Sequence, residues 1–252
     1  METRELNAKL VKAIKAFFAE QGKTKAVLGL SGGIDSALVL SLLCEAIGKE
    51  NVSALLMPNS EITKYSSTKD AEDFAKKLGM KYLVVQIDQI ISAFSGSILW
   101  NQSEIAKANL NARIRAVLLY NYANSFDALV AGTGNKSEFY LGYFTKHGDA
   151  AADFFPIGSL LKTQVRALAA YRKLPKEFLE KAPSAELWKG QEDEKELGFA
   201  YEEIDALLPL LLGEKQGKIP AGKFAQAEKI RALISASAHK RAAAKIITIA
   251  DQ

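Results

Sequence analysis

Apolar residues along this chain switch between two spacings, and the switches outline the fold. Leu6, Leu10, Val11, Ile14 and Phe17-Phe18 recur at helical intervals and mark one face of an opening helix, which Gln21-Gly22-Lys23 ends. Ala26-Val27-Leu28-Gly29-Leu30 is instead a short continuous apolar run, the pattern of a buried strand, stopped by Ser31-Gly32-Gly33. From Ile34 to Ile47 the spacing turns helical again through Ala37, Leu38, Leu40, Leu42 and Leu43. The alternation then repeats. It predicts strands over 52–57, 81–87 and 128–131, with helices over 67–78, 90–99 and 103–124. Beyond 131 the chain reads as mostly helical, over 158–172, 176–181, 201–212 and 223–237.

Strands separated by helices predict an α/β fold, a doubly wound parallel sheet with helices on both faces. Ligands bind such sheets beyond the carboxyl ends of the strands, where the winding direction changes. Clusters of Gly, Ser, Thr and Asp follow Leu30, Met57 and Ala131, so the site is expected there. With no internal repeat and no low-complexity linker, residues 1–252 are expected to form one domain.

Composition narrows the chemistry. A net charge of +4 suits a small phosphate-rich substrate and is too mild to argue for nucleic acid, so no nucleic-acid partner is expected. Cys44 is the only cysteine, which excludes an intrachain disulfide and a cysteine-rich zinc site. Two histidines, His147 and His239, argue against a histidine-rich metal centre. Met1 to Glu20 lacks a signal-peptide core, and no apolar run reaches bilayer length, so a cytoplasmic location with no membrane partner is expected.

The segment after the first strand has the makings of an anion cradle. Gly32 and Gly33 allow close backbone approach, and the amides and dipole of the following helix favour negative charge. Ser31 and Ser36 add hydroxyl donors. No Gly-Lys-Ser/Thr follows the glycines, so this is not a Walker loop, and the spacing is not Gly-x-Gly-x-x-Gly either. Asp35 by itself fits two roles equally well: a first-turn acid on a helix dipole, or a ligand for Mg²⁺ bridging carboxylate and phosphate. The flanking serines and glycines favour the metal.

Leu30-Ser31-Gly32-Gly33-Ile34-Asp35-Ser36 after a strand resembles the pyrophosphate loop of the N-type ATP pyrophosphatases, which cleave ATP between the α and β phosphates. The loop marks the superfamily and not the substrate. Three further segments resemble the ammonia-dependent NAD synthetases in particular. One is Asn109-Leu110-Asn111-Ala112-Arg113-Ile114-Arg115. Another runs from Gly132-Thr133-Gly134-Asn135-Lys136-Ser137-Glu138 through Thr145-Lys146-His147-Gly148-Asp149 and Asp153 to Lys162. The third runs from Lys181-Ala182-Pro183-Ser184 through Trp188, Gln191, Asp193-Glu194 and Gly198 to Ile204-Asp205. His239-Lys240-Arg241 completes the set, with Ala242-Ala243-Ala244 standing where the family pattern has prolines.

The resemblance implies a fold like that of the adenine nucleotide alpha hydrolases, and roles for named residues. Gly29, Leu30, Ser31, Gly32, Gly33, Ile34, Asp35, Ser36, Met57, Thr133, Lys162 and Ser184 would contact ATP. Arg113, Lys146, Asp153, His239 and Lys240 would contact deamido-NAD. Asp35 and Glu138 would hold Mg²⁺, and Asp149 would take a proton from ammonium during amide formation. A lid over 181–198 would exclude water. A homodimer is implied, with dinucleotide sites near its interface.

Several of these residues have plainer readings. Arg113 and Arg115 point about 200° apart on a helix, so only one can face a given ligand. The resemblance chooses Arg113 and leaves Arg115 for a structural ion pair. Asn135-Lys136-Ser137-Glu138 is a capping-box pattern, compatible with metal binding only if the Glu138 side chain turns away from its cap. Lys146, His147, Asp149 and Asp153 fall in a stretch that reads as solvated loop, and Glu192-Asp193-Glu194 as a solvated acidic run.

The implied reaction is adenylation of the nicotinate carboxylate of deamido-NAD by ATP, followed by amidation with ammonia. Larger family members hydrolyse glutamine in an extra domain with a cysteine nucleophile. This length has no room for one and Cys44 lies in an apolar helix, so ammonia, free or from a partner, is expected. The alternatives are a tRNA-modifying pyrophosphatase and a non-catalytic ATP-binding module of the same fold.

Overall fold

The computed structural model describes residues 2–182, 184, 188, 190–191 and 193–247. Among these, four strands form a wholly parallel sheet: β1 (Lys25–Gly29), β2 (Val52–Leu56), β3 (Lys81–Val84) and β4 (Ala128–Val130). Helix α1 (Thr3–Gln21) precedes β1, and α2 (Ile34–Ile47) with a 3-10 turn (Lys49–Asn51) leads to β2. Helix α3 (Tyr65–Leu78) leads to β3, and α4 (Asp88–Ser97) with α5 (Glu104–Phe126) leads to β4. Then follow α6 (Lys136–Leu141), α7 (Lys162–Tyr171), α8 (Lys176–Leu179), α9 (Asp193–Leu197), α10 (Tyr201–Leu211), α11 (Phe224–Ala236) and α12 (Ala238–Arg241).

The sheet order is β3-β2-β1-β4. The chain winds outward from β1 to β3, then returns to place β4 on the other side of β1. The winding therefore reverses between β1 and β4, which opens a crevice beyond their carboxyl ends. The register brings Val27 opposite both Ser53 and Val130.

Alternate strand residues feed two cores, as the two-residue period of a strand requires. Ala26, Leu28, Val52, Ala54 and Leu56 face α1, α2, α3 and α7. Val27, Leu55 and Val130 face the other way, into a cluster with Ile87, Ile114 and Ala123 of the α4–α5 layer. Helix α2 is apolar almost all round because it is covered almost all round. Leu38, Leu40, Leu42 and Leu43 are fully buried there, and truncating one to alanine costs about 2–5 kcal/mol. That packing holds the N-terminus of α2 rigidly at the crevice. A third cluster joins α6, α10 and α11 through Leu141, Tyr201, Ile204, Leu208 and Ile230.

Two expected elements differ. The helix expected from 158 begins only at Lys162, because Gly158 and Leu160 turn back on Phe155 and Ile157 through their amides. The strand expected over 81–87 ends at Val84 and lies at the sheet edge, with Lys81, Leu83 and Val84 exposed. An apolar run does not distinguish an edge strand from a central one. No helix among the described residues is long and apolar enough to cross a membrane.

Candidate active site

The loop after β1 is shaped by its own hydroxyls. Ser36 Oγ donates to the Gly33 carbonyl at 3.0 Å and accepts the Ser31 amide at 3.3 Å, while the Gly33 amide donates to Ser31 Oγ at 3.2 Å. Gly32 has φ of +83°, and a Cβ there would lie 2.3 Å from the Ser67 carbonyl oxygen of α3. Only glycine fits. Gly132, at the end of β4, is similarly confined: a Cβ would lie 2.3 Å from the Phe155 ring.

Asp35, in the first turn of α2, meets residues from far along the chain. Its Oδ1 accepts the Asn135 side-chain amide at 2.9 Å, and its Oδ2 accepts Lys162 Nζ at 2.5 Å. The same ammonium donates to Glu138 Oε1 at 3.0 Å. The Lys162 side chain is 3% exposed, and the carboxylate side chains of Asp35 and Glu138 are 16% and 17% exposed. Lys162 Nζ also lies 5.4 Å from the centre of the buried Tyr201 ring.

Glu138 keeps its cap while it does this. Oε2 accepts the Asn135 amide at 3.2 Å, closing the capping box with Asn135 Oδ1, and Oε1 is left for the ammonium. Capping therefore does not compete with binding a cation, contrary to the sequence expectation: the carboxylate has two oxygens and the two tasks take one each.

The electrostatics follow from burial. Two carboxylates around one ammonium carry a net negative charge when both are ionised. Burial pushes the Glu138 carboxyl up to about 7, helped by Asp35 and opposed by Lys162. Both carboxylates hold Lys162 in its charged form, above its ordinary range, against the cost of burying it. Such a pair fits Mg²⁺, which takes one or two protein carboxylates and completes its shell with phosphate oxygens and water. Among the described residues no third acid, histidine or cysteine joins them, so phosphate or water must supply the remaining ligands.

A cavity of about 390 Å³ opens over this trio at the crevice. Residues 29–36 line it, Gly32 apart, as do Met57, Thr133, Glu138, Lys162 and Ser184. The structure thus gathers nearly all the expected ATP contacts around one space. Asp149 and Lys240 line it too. Asp149 Oδ1 accepts the Thr145 amide at 2.8 Å. Its carboxyl is open to the cavity but ringed by protein, and that desolvation raises its pKa against the Thr145 bonds and the Lys240 charge.

The other expected dinucleotide contacts lie outside the cavity wall. Arg113 donates from Nε and Nη2 to the Lys146 carbonyl at 3.4 and 3.3 Å, and Lys146 Nζ donates to the His239 carbonyl at 2.8 Å. These three form one exposed group. Asp153 is exposed as well, and its oxygens accept Tyr120 Oη at 3.2 Å and the Val130 amide at 2.7 Å.

Arg113 and Arg115 do diverge, but the cavity receives Arg115, whose Nε donates to the Met57 carbonyl at 3.0 Å. The helical spacing separated the two arginines without saying which side was which. Sequence reasoning also assigned no role to Lys181, whose ammonium lines the cavity and reaches the Gly32 carbonyl at 3.3 Å and Ser67 Oγ at 2.5 Å.

Asp193 and Glu194 of the acidic run are held by protein partners and not left to solvent. Asp193 is 3% exposed, and Glu194 accepts Arg166 of α7 and the Tyr201 amide, both at 3.1 Å. Glu196 accepts Tyr143 Oη at 2.6 Å and Gln191 Nε2 at 3.0 Å. These partners lie on other elements, so the local charge run hid them. Pro183, Ala185, Glu186, Leu187, Lys189 and Glu192 of the expected lid lie outside the described residues.

A parallel sheet with a Gly-Gly loop and a paired-carboxylate cation site at its switch point defines a nucleotide-binding α/β protein. The family model for NAD synthase matches residues 6–244, and the chain belongs to that family. The NH(3)-dependent NAD(+) synthetase of Archaeoglobus fulgidus is 45% identical over 238 residues, which is 94% of each chain. That of Methanocaldococcus jannaschii is 45% identical over 86% of this chain and 83% of its own. Among solved structures, an NMN synthetase from Francisella tularensis superposes with a TM-score of 0.89 at 36% identity, covering 99% of this chain and 100% of its own. An NH3-dependent NAD synthetase from Campylobacter jejuni gives 0.85 at 34% identity, covering 98% and 100%.

Proposed function

We propose that this chain is an ammonia-dependent NAD synthetase, converting deamido-NAD, ATP and ammonia to NAD, AMP and pyrophosphate. One observation carries the reading: Asp35 of the loop and Glu138 from beyond β4 flank the Lys162 ammonium in the wall of the cavity, a carboxylate pair set to hold a cation. The named relatives supply the substrate class and set aside both a tRNA-modifying enzyme and a non-catalytic module.

In the first step an oxygen of the nicotinate carboxylate attacks the α-phosphorus, and pyrophosphate leaves. The first amides of α2, from Ile34 on, and the α2 dipole receive that leaving group. Asp35 and Glu138 would hold Mg²⁺, which supplies neutralising charge to the phosphate oxygens when bound. The Lys162 ammonium, which bridges those two carboxylates here, would give way to the metal and add its own positive charge beside the phosphates. In the second step the nitrogen of ammonia attacks the acyl carbon and AMP leaves. Asp149 stands in the cavity wall to take the nitrogen's proton on its carboxylate, and desolvation by the surrounding protein makes it a stronger base than an ordinary aspartate. The Tyr143–Gln191–Glu196 contacts hold Gln191 and Glu196 at the cavity wall, and a lid over 181–198 would keep water from the adenylate.

Ammonia fits as nitrogen donor. The chain's one thiol, Cys44, is pushed up to about 11 by burial and stays protonated, so it offers no nucleophile for glutamine. The exposed group of Arg113, Lys146, Asp153 and His239 would take the part of the dinucleotide that a cavity of this size leaves outside. Leu83 and Val84 of β3, Phe94 of α4, Leu99 and Trp100 between α4 and α5, and Val117 of α5 are exposed apolar side chains, and they support a homodimer through this layer. A cytoplasmic location goes with substrates such as ATP and a pyridine dinucleotide.

A second reading shortens the acceptor to nicotinate mononucleotide, on the strength of similarity to the Francisella tularensis NMN synthetase. One assay decides: purified protein with ATP, Mg²⁺ and ammonium, given each acid in turn. NAD, AMP and pyrophosphate are expected from deamido-NAD. ADP as product, or no NAD at any ammonium concentration, overturns the proposal, and faster amidation of the mononucleotide moves it to the second reading.

A further inference from the structure

We propose that Asp205 of α10 is a positioning residue that sets Glu138 and Lys162 against Asp35; this rests on the function proposed above. Asp205 does not line the cavity, yet it controls where two of the cavity's charged residues begin. Helix α7 starts at Lys162, and its N-cap residue is Leu161, whose side chain offers no acceptor. The first amides of a helix need partners from elsewhere. Here the Lys162 amide donates to Ser137 Oγ at 3.0 Å and the Thr163 amide to Asp205 Oδ2 at 2.8 Å. Ser137 Oγ in turn donates to Asp205 Oδ1 at 2.5 Å. Ser137 is fully buried and Asp205 is 6% exposed.

One carboxylate thus caps the helix that carries Lys162 and pins the residue next to Glu138. The geometry demands two acceptor oxygens, one for a hydroxyl and one for an amide, which a carboxylate has and a side-chain amide lacks. Its charge also suits the positive end of α7. Tyr201, four residues earlier on the same face of α10, lies beneath the Lys162 ammonium. Helix α10 therefore acts on Lys162 at both ends: on the backbone through Asp205, by way of Ser137 and the Thr163 amide, and on the ammonium through Tyr201.

The test compares Asp205→Ala and Asp205→Asn with Leu208→Ala, which truncates a buried apolar residue on the same helix. Binding of ATP with Mg²⁺ is measured by calorimetry on each folded protein, alongside Tm and the KM for each substrate. Loss of an outer hydrogen-bond partner weakens metal affinity by about 10–100-fold. Asp205→Ala should fall in that range, with the KM for deamido-NAD unchanged, and Asp205→Asn should retain part of the affinity. Leu208→Ala should lower Tm and leave ATP binding as in the wild type. Equal ATP binding in Asp205→Ala and the wild type would overturn the assignment, as would a loss in Leu208→Ala matching that of the Asp205 variants. Should Asp205→Ala fail to fold, Asp205→Asn supplies the same comparison, and wild-type affinity there overturns it. Failure of the wild type itself to bind ATP with Mg²⁺ would refute the functional reading instead.

Discussion

Asp35 and Lys162 stand 127 residues apart in sequence and 2.5 Å apart in the fold, joined by a buried ion pair that also includes Glu138. A lysine ammonium thus occupies the space between two carboxylates where the proposed reaction needs a divalent cation.

Asp35→Ala and Glu138→Ala should each reduce NAD formation by at least about 100-fold. Circular dichroism should show both variants folded. Near-wild-type turnover in either one would remove it from the metal site.

Lys162→Met leaves two carboxylates facing each other without their cation. Breaking a buried ion pair from one side costs about 3–5 kcal/mol, so the ligand-free variant should melt well below the wild type. Added Mg²⁺ with ATP should recover more Tm in the variant than in the wild type. An unchanged Tm without ligand would show that the trio contributes nothing to stability.

Glu138 gives the site a defined pH response. Its folded pKa of about 7 lies above the ordinary 4.5, so the folded state holds the proton more tightly than the unfolded one. The stability from this proton is fully present below about 4.5 and is lost as pH rises through about 7. Metal binding needs the ionised form and strengthens over the same window. The rise in Tm on adding ATP with Mg²⁺ should therefore grow between about pH 6 and 8. Glu138→Gln should flatten that trend, and a parallel trend in the variant would assign it to another group.

Gly32→Ala should abolish ATP binding while the sheet stays intact. The substitution demands a positive φ of a non-glycine residue and brings Cβ to 2.3 Å from a backbone oxygen, so the loop must open. Calorimetry with ATP reads this directly. Wild-type affinity would mean that the loop is not the phosphate cradle.

Val117 is 66% exposed on α5. Val117→Asp should shift the protein from dimer to monomer in sedimentation velocity, because an interface core does not accept an unpaired charge. A wild-type protein already monomeric at micromolar concentration would overturn the proposed dimer.

The residues that could be read from the sequence were those whose roles are local. Gly32 and Gly33 follow a strand and open a helix, so both the turn and the proposed anion site are contained within a few residues. Asn135 and Glu138 form a box three residues long, and the structure has that box. Arg113 and Arg115 show the boundary of this kind of reading. Their divergence follows from helix geometry, but which one meets the cavity depends on where α5 lies against β1 and β4.

By itself, then, the sequence determined the alternation of strands and helices, the switch-point loop and the chemical identity of its charged residues, because short-range periodicity and backbone preference act over neighbours. Only the tertiary structure decided that Lys162 lies between Asp35 and Glu138, that Asp193 and Glu194 are held by α7 and α10, and that Asp205 caps α7. Those contacts join elements brought together by packing. A side chain carries no record of which distant partner will satisfy it once both are buried.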